Sequence, residues 1–321
     1  MLNYGIIGAG WRAEFYLRIA SLCPERFNAC GVFIRNPQKR EVFSKKYNVP
    51  IFDSLDGLLK TDFDFIVSCV NKESINETAQ MLADKGIPVL TETPVTRGDL
   101  SGKIQVAEQF HFMPRNQAYK AIIESGVLGN VHTVYLSCCH DYHAASLIRF
   151  FLDIKDEKPR KTEIKLTDKL NRYNSRAGFI KPIAVNSEQK IIVLDFGEKS
   201  AVYDFNYEQY FSDIRTSRIV IRGTNGEIAD DTVTYLKGGL PHSFDLKRNC
   251  CGVEENLDGF SLLNITGNGE ILYDNPFAGA RLSDEEIAIA TCLIKMKKFA
   301  DTGEEFYSGK YAYIDYSLLA K

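Results

Sequence analysis

The feature that most constrains this chain is a short glycine-rich turn close to its start. An apolar run over residues 4–7 stops at Gly8, and residues 11–22 then place apolar side chains on one face at helical spacing. The turn reads Gly8-Ala9-Gly10-Trp11-Arg12-Ala13, a G-x-G-x-x-A form of the dinucleotide-binding fingerprint. Small residues here let backbone N–H groups approach a pyrophosphate at a helix N-terminus. We therefore predict a strand, a phosphate-binding turn and a helix, with residues 8–12 at the cofactor.

Length and charge narrow the possible classes of function. A chain of 321 residues is long enough for two domains, each with its own core. Its net charge of −3 and pI near 6.0 provide no general attraction to nucleic acid or to an anionic membrane. No apolar run approaches the roughly 18 residues of a membrane helix, and the opening strand leaves no room for a signal peptide. We expect a cytoplasmic protein with no nucleic-acid or membrane partner.

Strands and helices alternate in the first third of the chain. The predicted strands after the glycine turn span residues 28–35, 64–70, 88–91 and 104–110. Helices are predicted after Asn36-Pro37, where a cap precedes a proline, and at Ser74, which opens an S-x-x-E capping box. This order predicts a parallel sheet with right-handed crossovers, that is, a Rossmann domain over residues 1–115.

In such a sheet the ligand lies at the carboxyl ends of the strands. We therefore assign the residues that follow these strands to successive parts of a dinucleotide. Arg35 and Asn36 are assigned to the adenosine ribose, Val70 and Asn71 to the length of the cofactor, and Glu92 and Thr93 to the nicotinamide ribose.

Residues 116–321 are predicted to form an α+β domain with a large, mostly antiparallel open sheet covered on one face. Runs such as VHTVYLSC and SRIVIRGT favour strands, and Asn225-Gly226 and Asn268-Gly269 are strong hairpin turns. Helices are predicted over residues 114–126, from Ser283 to about residue 300, and over residues 311–320. The fold class of the whole chain is therefore α/β.

The end of the second strand bears on the choice between NAD and NADP. Rossmann domains that prefer NAD carry Asp or Glu there, which binds the ribose hydroxyls. This chain has Arg35-Asn36 instead, with Lys39 and Arg40 close behind. Because an arginine suits a 2′-phosphate, we predict NADP as the cofactor, with NAD as the alternative. A solvated basic cluster on the first turn of a helix explains the same residues almost as well.

The order of these motifs resembles that of the Gfo/Idh/MocA family, which includes glucose-fructose oxidoreductase and inositol dehydrogenase. The resemblance covers nearly the whole chain and is carried by GIIGAGWRA, VLTETPV, AIIESGVLGNVHTV, HDYHAASLIRFFL, IVIRGTNGEI and the closing DEEIAIA helix. It implies an N-terminal Rossmann domain joined to a C-terminal α/β domain with a large open sheet. It also implies hydride transfer between a nicotinamide and a sugar-, cyclitol- or polyol-like carbon, and a homodimer or homotetramer formed through the open sheet face.

The resemblance also assigns catalytic residues. The lysine of the family's Glu-Lys-Pro strand end, which contacts both substrate hydroxyl and cofactor, falls on Thr93, whose hydroxyl can hydrogen-bond but does not titrate near neutrality. His143 falls on the active-site histidine and is the expected acid/base group, while Ser146 stands where an aspartate is common. Asp141 is expected to orient the His143 ring or a substrate hydroxyl, and Tyr142 is a weaker candidate proton donor.

Several alternatives stay open at this point. The lost lysine is compatible with a catalytically silent NAD(P)-binding sensor or regulatory protein, and a two-domain protein without any nucleotide is a third possibility. His140 and Asp141 serve equally well as an N-capping turn without chemistry. Only twelve residues separate Thr91 from Ile104, where the family inserts a helix, so either this crossover is minimal or residues are missing from the sequence.

No metal site is expected from the residue types that usually bind metals. The eight cysteines include no C-x-x-C pair, and the five histidines form no ligand cluster beyond residues 140–143. Reduced and mostly buried thiols explain the cysteines best.

Overall fold

The chain divides into two structural units. The structure is a computed structural model, and it describes residues 1–175, 177–212, 214–252, 255–256 and 259–319. The first unit contains Met1–Gln117, Arg248–Asn264 and Asp274–Ser317. The second contains Ala118–Lys247, Ile265–Tyr273 and the described residues after 317. The assignment of residues 1–115 and 116–321 to two functional domains remains a prediction.

The first unit is built on a six-stranded parallel sheet. Its strands are β1 (Leu2–Ile7), β2 (Phe27–Phe33), β3 (Ile51–Phe52), β4 (Phe65–Ser68), β5 (Val89–Thr91) and β6 (Ile104–Val106). They lie in the order β3-β2-β1-β4-β5-β6, so the direction of winding reverses beside β1. The connecting helices are α1 (Trp11–Leu22), α2 (Pro37–Lys46), α3 (Leu55–Leu58) and α4 (Ile75–Ala83). This architecture confirms the predicted Rossmann fold.

The middle strands are buried on both faces, as expected for a parallel sheet between helices. Tyr4 of β1 is fully buried, and its hydroxyl donates to the carbonyl oxygen of Tyr16 in α1 at 2.7 Å. The Tyr4 ring also stacks on Phe65 of β4, with 6.1 Å between the ring centroids. These contacts hold α1, and therefore the glycine turn before it, against the centre of the sheet.

The crossover between β5 and β6 runs through residues 92–103 without a helix. Helix α4 satisfies part of its backbone, because Asn76 accepts from the N–H of Thr96 at 3.2 Å and Gln80 accepts from the N–H of Ser101 at 3.0 Å. The crossover is therefore held against α4 by side-chain-to-backbone hydrogen bonds.

Apolar cover over this short crossover comes from the C-terminal part of the first unit. Val95 and Val106 form one buried cluster with Ile75, Tyr307 and Ala312. The backbone N–H of Val106 also donates to the carbonyl oxygen of Tyr307 at 2.8 Å. The chain near residue 307 therefore packs against both the crossover and β6.

The second unit contains an eight-stranded, mostly antiparallel sheet, as predicted. Its strands are β7 (Val131–Ser137), β8 (Arg160–Ser175), β9 (Gly178–Asp195), β10 (Ser200–Asn206), β11 (Arg218–Gly223), β12 (Gly226–Ala229), β13 (Thr232–Lys237) and β14 (Leu240–Asp245). They lie in the order β14-β13-β12-β11-β7-β10-β9-β8, with β7 and β10 parallel. Helix α5 (Pro114–Glu124) precedes the sheet, and α6 (Asp141–Leu152) packs against β7.

The remaining elements follow the large sheet in the chain. A three-stranded sheet contains β15 (Lys247–Cys251), β16 (Ser261–Gly267) and β17 (Glu270–Asp274). Asn268 and Gly269, both with positive φ, form the predicted hairpin turn between β16 and β17. Helices α7 (Asp284–Thr302) and α8 (Gly309–Leu319) end the described chain, and Ala320, the predicted end of the last helix, lies outside the described residues.

Two local predictions were wrong. The strand predicted over residues 104–110 ends at Val106, because residues Gln109–Phe112 form a 3₁₀ turn. The capping box predicted at Ser74 is absent among the described residues, since the chain is already helical there as the end of a 3₁₀ turn, Lys72–Ser74. By contrast, Ser283 and Glu286 form both bonds of their predicted capping box at the start of α7.

The two serines give a matched test of stability. Ser283→Ala should lower the free energy of unfolding by about 1 kcal/mol, because it leaves an N–H group of α7 without its acceptor. Ser74→Ala should change it by less than about 0.5 kcal/mol. Urea unfolding of both variants measures the difference, and equal effects would contradict the capping roles assigned to them.

Candidate functional site

The glycine turn between β1 and α1 has the backbone form that the fingerprint predicts. Gly8 has a φ of +113°, and a Cβ at this position would lie 2.4 Å from the carbonyl oxygen of Cys69. A side chain here would therefore be strained and would clash with the backbone that follows β4. A Cβ at Gly10 would meet nothing within 4 Å, and no side chain among the described residues caps α1. The turn therefore leaves room beside Gly10 at the start of α1, an arrangement that fits a pyrophosphate.

The carboxyl ends of the central strands are level with one another. Ile7 pairs with Phe33 and with Ser68, and Ser68 pairs with Thr91. The predicted cofactor residues that follow these strands therefore share one edge of the sheet. This is the edge at which doubly wound sheets bind their ligands.

Some side chains after β2 stabilise the local backbone, and others are exposed to solvent. The Asn36 side chain accepts from the N–H of Lys39 at 3.0 Å and so caps α2, while Arg40 donates to the carbonyl oxygen of Arg35 at 3.0 Å. The Arg35 side chain is exposed, and the Lys39 ammonium lies 3.4 Å from the carbonyl oxygen of Ala9 in the glycine turn. Arg35 and Lys39 therefore place positive charge at the strand end where the 2′-phosphate was predicted.

Three further predicted cofactor residues lie at the same edge. Val70 is half-buried and Asn71 is exposed at the start of the 3₁₀ turn before α4. Thr93 is half-buried and precedes a cis peptide bond to Pro94. Their contacts with a cofactor remain a prediction.

Arg12 and Glu92, both predicted at the cofactor, are bound to protein groups of the first unit. The Arg12 guanidinium forms ion pairs with Glu92 at 3.2 Å and with Glu285 at 2.7 Å, and Glu92 also accepts from the Tyr16 hydroxyl at 2.5 Å. Burial raises the pKa of Glu92, and the charge of Arg12 only partly opposes this effect. Arg12 and Glu92 therefore stabilise the turn through contacts with other protein groups. The half-exposed Trp11 indole lies 4.4 Å from the Arg12 guanidinium.

The histidine predicted as the acid/base group lies in the first turn of α6 in the second unit. His143 is buried, and its N–H donates to the carbonyl oxygen of His140 at 3.1 Å. The His143 ring centroid lies 5.1 Å from that of His140 and 4.5 Å from that of Tyr142. The expected position near a helix N-terminus is thus present.

The partners of Asp141 differ from those expected. Its carboxylate accepts from the Lys190 ammonium at 3.1 Å, from the Tyr203 hydroxyl at 3.2 Å and from the Tyr207 hydroxyl at 2.5 Å. Burial, followed by the charge of Asp141, raises the pKa of Tyr203, and burial and the bond to Asp141 raise that of Tyr207. Both hydroxyls therefore remain protonated donors at neutral pH.

Sequence reasoning missed Lys190 and these two tyrosines. A signal for Lys190 was present, because Ile192 and Leu194 follow it at strand spacing and mark the covered face of β9. A lysine in phase with them indicates a buried charge. No comparable local signal identifies the partner of that charge, because Asp141 is distant in the sequence.

Comparisons with known proteins agree with this architecture. Residues 2–111 match the family model GFO_IDH_MocA, described as an oxidoreductase family with an NAD-binding Rossmann fold. The match confirms the resemblance for these residues. No curated protein matches the sequence.

Solved structures share the fold over nearly the whole chain. An Agrobacterium radiobacter oxidoreductase in complex with NAD⁺, L-tartaric acid and magnesium has a TM-score of 0.67 at 14% identity, covering 99% of this chain and 94% of that one. Levoglucosan dehydrogenase in complex with NADH and levoglucosan has 0.66 at 13%, covering 99% and 96%. A myo-inositol dehydrogenase from Corynebacterium glutamicum has 0.64 at 14%, covering 99% and 94%. At these identities the likeness shows the fold alone.

The described part of the chain contains no group of three or more metal-ligating side chains arranged to hold an ion. None of its helices combines the length and hydrophobicity that a membrane crossing requires.

The first unit contains a carboxyl group whose titration can be measured. Glu108 is buried and accepts from the N–H of Phe110 at 3.2 Å, and burial raises its pKa from 4.5 to about 8. The folded protein therefore binds this proton more tightly than the unfolded chain, so stability should fall as the pH rises from 4.5 to 8.

Glu108→Gln should flatten this part of the pH dependence, because it keeps an acceptor for Phe110 and removes the titration. Urea unfolding at about pH 5, 6.5 and 8, three values that span this pH range, measures the free energy of unfolding. Glu124→Gln, at a side chain that is 66% exposed, is the matched control and should leave the wild-type slope unchanged. An unchanged slope in Glu108→Gln would contradict the assignment.

Proposed function

We propose that this chain, whose residues 2–111 belong to the Gfo/Idh/MocA oxidoreductases, transfers a hydride between a nicotinamide cofactor and a sugar- or cyclitol-like hydroxyl or ketone. The observation that carries the proposal is the turn from Gly8 to Gly10 before α1, at the carboxyl edge of a parallel sheet, where none of the described side chains caps the helix. The substrate class is supported by the names of two structural relatives, a levoglucosan dehydrogenase and a myo-inositol dehydrogenase.

The cofactor and the chain would contribute different steps of the reaction, hydride transfer and proton transfer respectively. Bound NAD(P) supplies the acceptor or donor of the hydride, which moves with its electron pair to or from the substrate carbon. In the oxidation direction the substrate O–H bond breaks, its electron pair becomes part of the carbonyl group, and the His143 imidazole takes the proton. Asp141 and Tyr142 are assigned to orienting the substrate hydroxyl, and Thr93 to a hydrogen bond beside the nicotinamide.

On the cofactor side, the backbone of residues 8–11 is assigned to the pyrophosphate. Arg35 is assigned to the adenosine ribose and its phosphate, because the Asn36 side chain is already used as a helix cap. This arrangement favours NADP over NAD. We assign Val70 and Asn71 to contacts along the cofactor and Glu92 to the nicotinamide ribose, as the sequence predicts. Glu92 acts there through Arg12 and Tyr16.

Activity is tested with both cofactors on myo-inositol, levoglucosan and L-tartrate, by following the absorbance of the reduced nicotinamide. We expect turnover of at least one polyol, and a loss on the order of 10²- to 10⁴-fold in kcat for His143→Asn because the proton acceptor is removed. His132→Asn is the matched control, since His132 lies on β7 and contacts Thr133. Equal activity in the two variants would contradict the role of His143.

Cofactor preference is tested by calorimetric titration with NADPH and NADH. Arg35→Ala should weaken NADPH binding by about tenfold or more, since a charge-assisted hydrogen bond contributes about 1.5–3 kcal/mol, and should leave NADH binding nearly unchanged. Lys45→Ala is the control, because this exposed lysine of α2 pairs with Glu41. An equal loss for both cofactors would mean that Arg35 does not contact the 2′-phosphate.

A catalytically silent sensor of NAD(P) is the second candidate function. Thr93 favours it, because a threonine hydroxyl at the family's lysine position does not titrate near neutrality. Tight NADPH binding without turnover of any tested polyol would support this candidate over the enzyme.

Self-association through the open face of the large sheet is part of the proposal. Ile164, Leu166 and Val193 lie on the same face of the β8–β9 ladder, opposite the buried Ile192 and Leu194, and each is at least 41% exposed. An exposed apolar sheet face of this kind is typical of a protein interface. We expect a homodimer or a homotetramer.

A further inference from the structure

Lys190 occupies an unusual position in the second unit. It lies on β9 in phase with Ile192 and Leu194, both fully buried, and is itself only 8% exposed. A buried ammonium is costly unless it is paired, so an apolar residue would suit this position better if packing alone mattered. The lysine therefore needs another explanation.

The partner of this charge is Asp141, the first residue of α6. One carboxylate oxygen accepts from the Lys190 ammonium at 3.1 Å and from the Tyr203 hydroxyl at 3.2 Å, and the other accepts from Tyr207. The N–H of Asp141 in turn donates to the Tyr203 hydroxyl at 3.0 Å. Three elements of the second unit thus converge on one residue at the start of a helix.

The backbone of Asp141 is held in a conformation that non-glycine residues rarely adopt. Its φ is +29°, and such a residue persists only where its surroundings fix it. The contacts with Lys190, Tyr203 and Tyr207 provide that constraint. The constrained residue immediately precedes Tyr142 and His143.

We infer that Lys190 is a positioning residue, which acts through Asp141 to hold the first turn of α6 and the His143 imidazole in the geometry for proton transfer. This inference rests on the proposed function of His143. Without the ammonium, the Asp141 carboxylate loses a partner and the strained turn can relax, which moves the ring. A displacement of about 1 Å at a reacting group can lower a rate on the order of 100-fold.

A purely structural role makes a different prediction. Replacing both members of a buried ion pair with neutral groups is often harmless to stability, whereas removing one member leaves an uncompensated charge. The double variant Asp141→Asn/Lys190→Met has neither charge, and asparagine tolerates positive φ well. If the pair only stabilises the fold, Lys190→Met should lose thermal stability but keep its kcat at temperatures where it stays folded. The double variant reports on stability alone, because Asp141 is itself assigned to the substrate hydroxyl.

The matched control is Lys165→Met. Lys165 lies directly opposite Lys190 in the β8–β9 ladder, but it is largely exposed and pairs with Glu163 and Glu188. The variants are assayed with NADP⁺ and with myo-inositol or levoglucosan, together with thermal unfolding. Lys190→Met should lower kcat on the order of 100-fold with little change in KM for NADP⁺, and Lys190→Arg should recover part of it. Lys165→Met should match the wild type in kcat, and the double variant should regain thermal stability relative to Lys190→Met.

Two results would overturn the inference while leaving the proposed function intact. One is equal kcat for Lys190→Met and Lys165→Met in an active enzyme, and the other is a kcat for Lys190→Arg no higher than that for Lys190→Met. If the wild type turns over neither polyol, the proposed function fails and the inference is rejected with it.

Discussion

The close approach of Gly8 to the carbonyl oxygen of Cys69 is the constraint on which the candidate site depends. A Cβ at Gly8 would lie 2.4 Å from that oxygen, and the φ of +113° independently favours glycine. Because the backbone passes so close to the end of β4, α1 begins directly at the edge of the sheet. None of the described side chains caps the start of this helix. Gly8 thus allows the end of β4 and the start of α1 to lie close together at the proposed pyrophosphate site.

Salt bridges at the start of α7 also hold α1 in place. Each of the three acidic residues in its first turn pairs with an arginine: Asp284 with Arg248, Glu285 with Arg12 and Glu286 with Arg18. Two of these arginines belong to α1, so the helix that follows the glycine turn is tied to a segment late in the sequence. Arg12 also reaches Glu92 at the end of β5, which joins a third element to the pair. Since carboxylates near a helix N-terminus are favourable, α7 is stabilised by the same charges.

Local signals account for what the sequence predicted well. The glycine fingerprint, the capping box at Ser283 and the Asn268-Gly269 turn each depend on neighbouring residues, and all three appear in the structure. The predictions that were wrong or missing depended on tertiary context. Ser74 fails as a cap because a 3₁₀ turn precedes it, and the role of Lys190 requires a carboxylate brought from α6 by the folding of β9 against it. In the same way, the partners of Arg12 lie in segments that no local pattern connects to the glycine turn.

The central claim is that the turn after β1 binds a dinucleotide. The chain contains one tryptophan, Trp11, which is half-exposed at the first position of α1, so its emission reports on this turn alone. Titration of the protein with NADPH should produce a saturable loss of Trp11 fluorescence as the cofactor approaches the indole. Emission that stays unchanged in the folded protein at saturating NADPH would contradict the account.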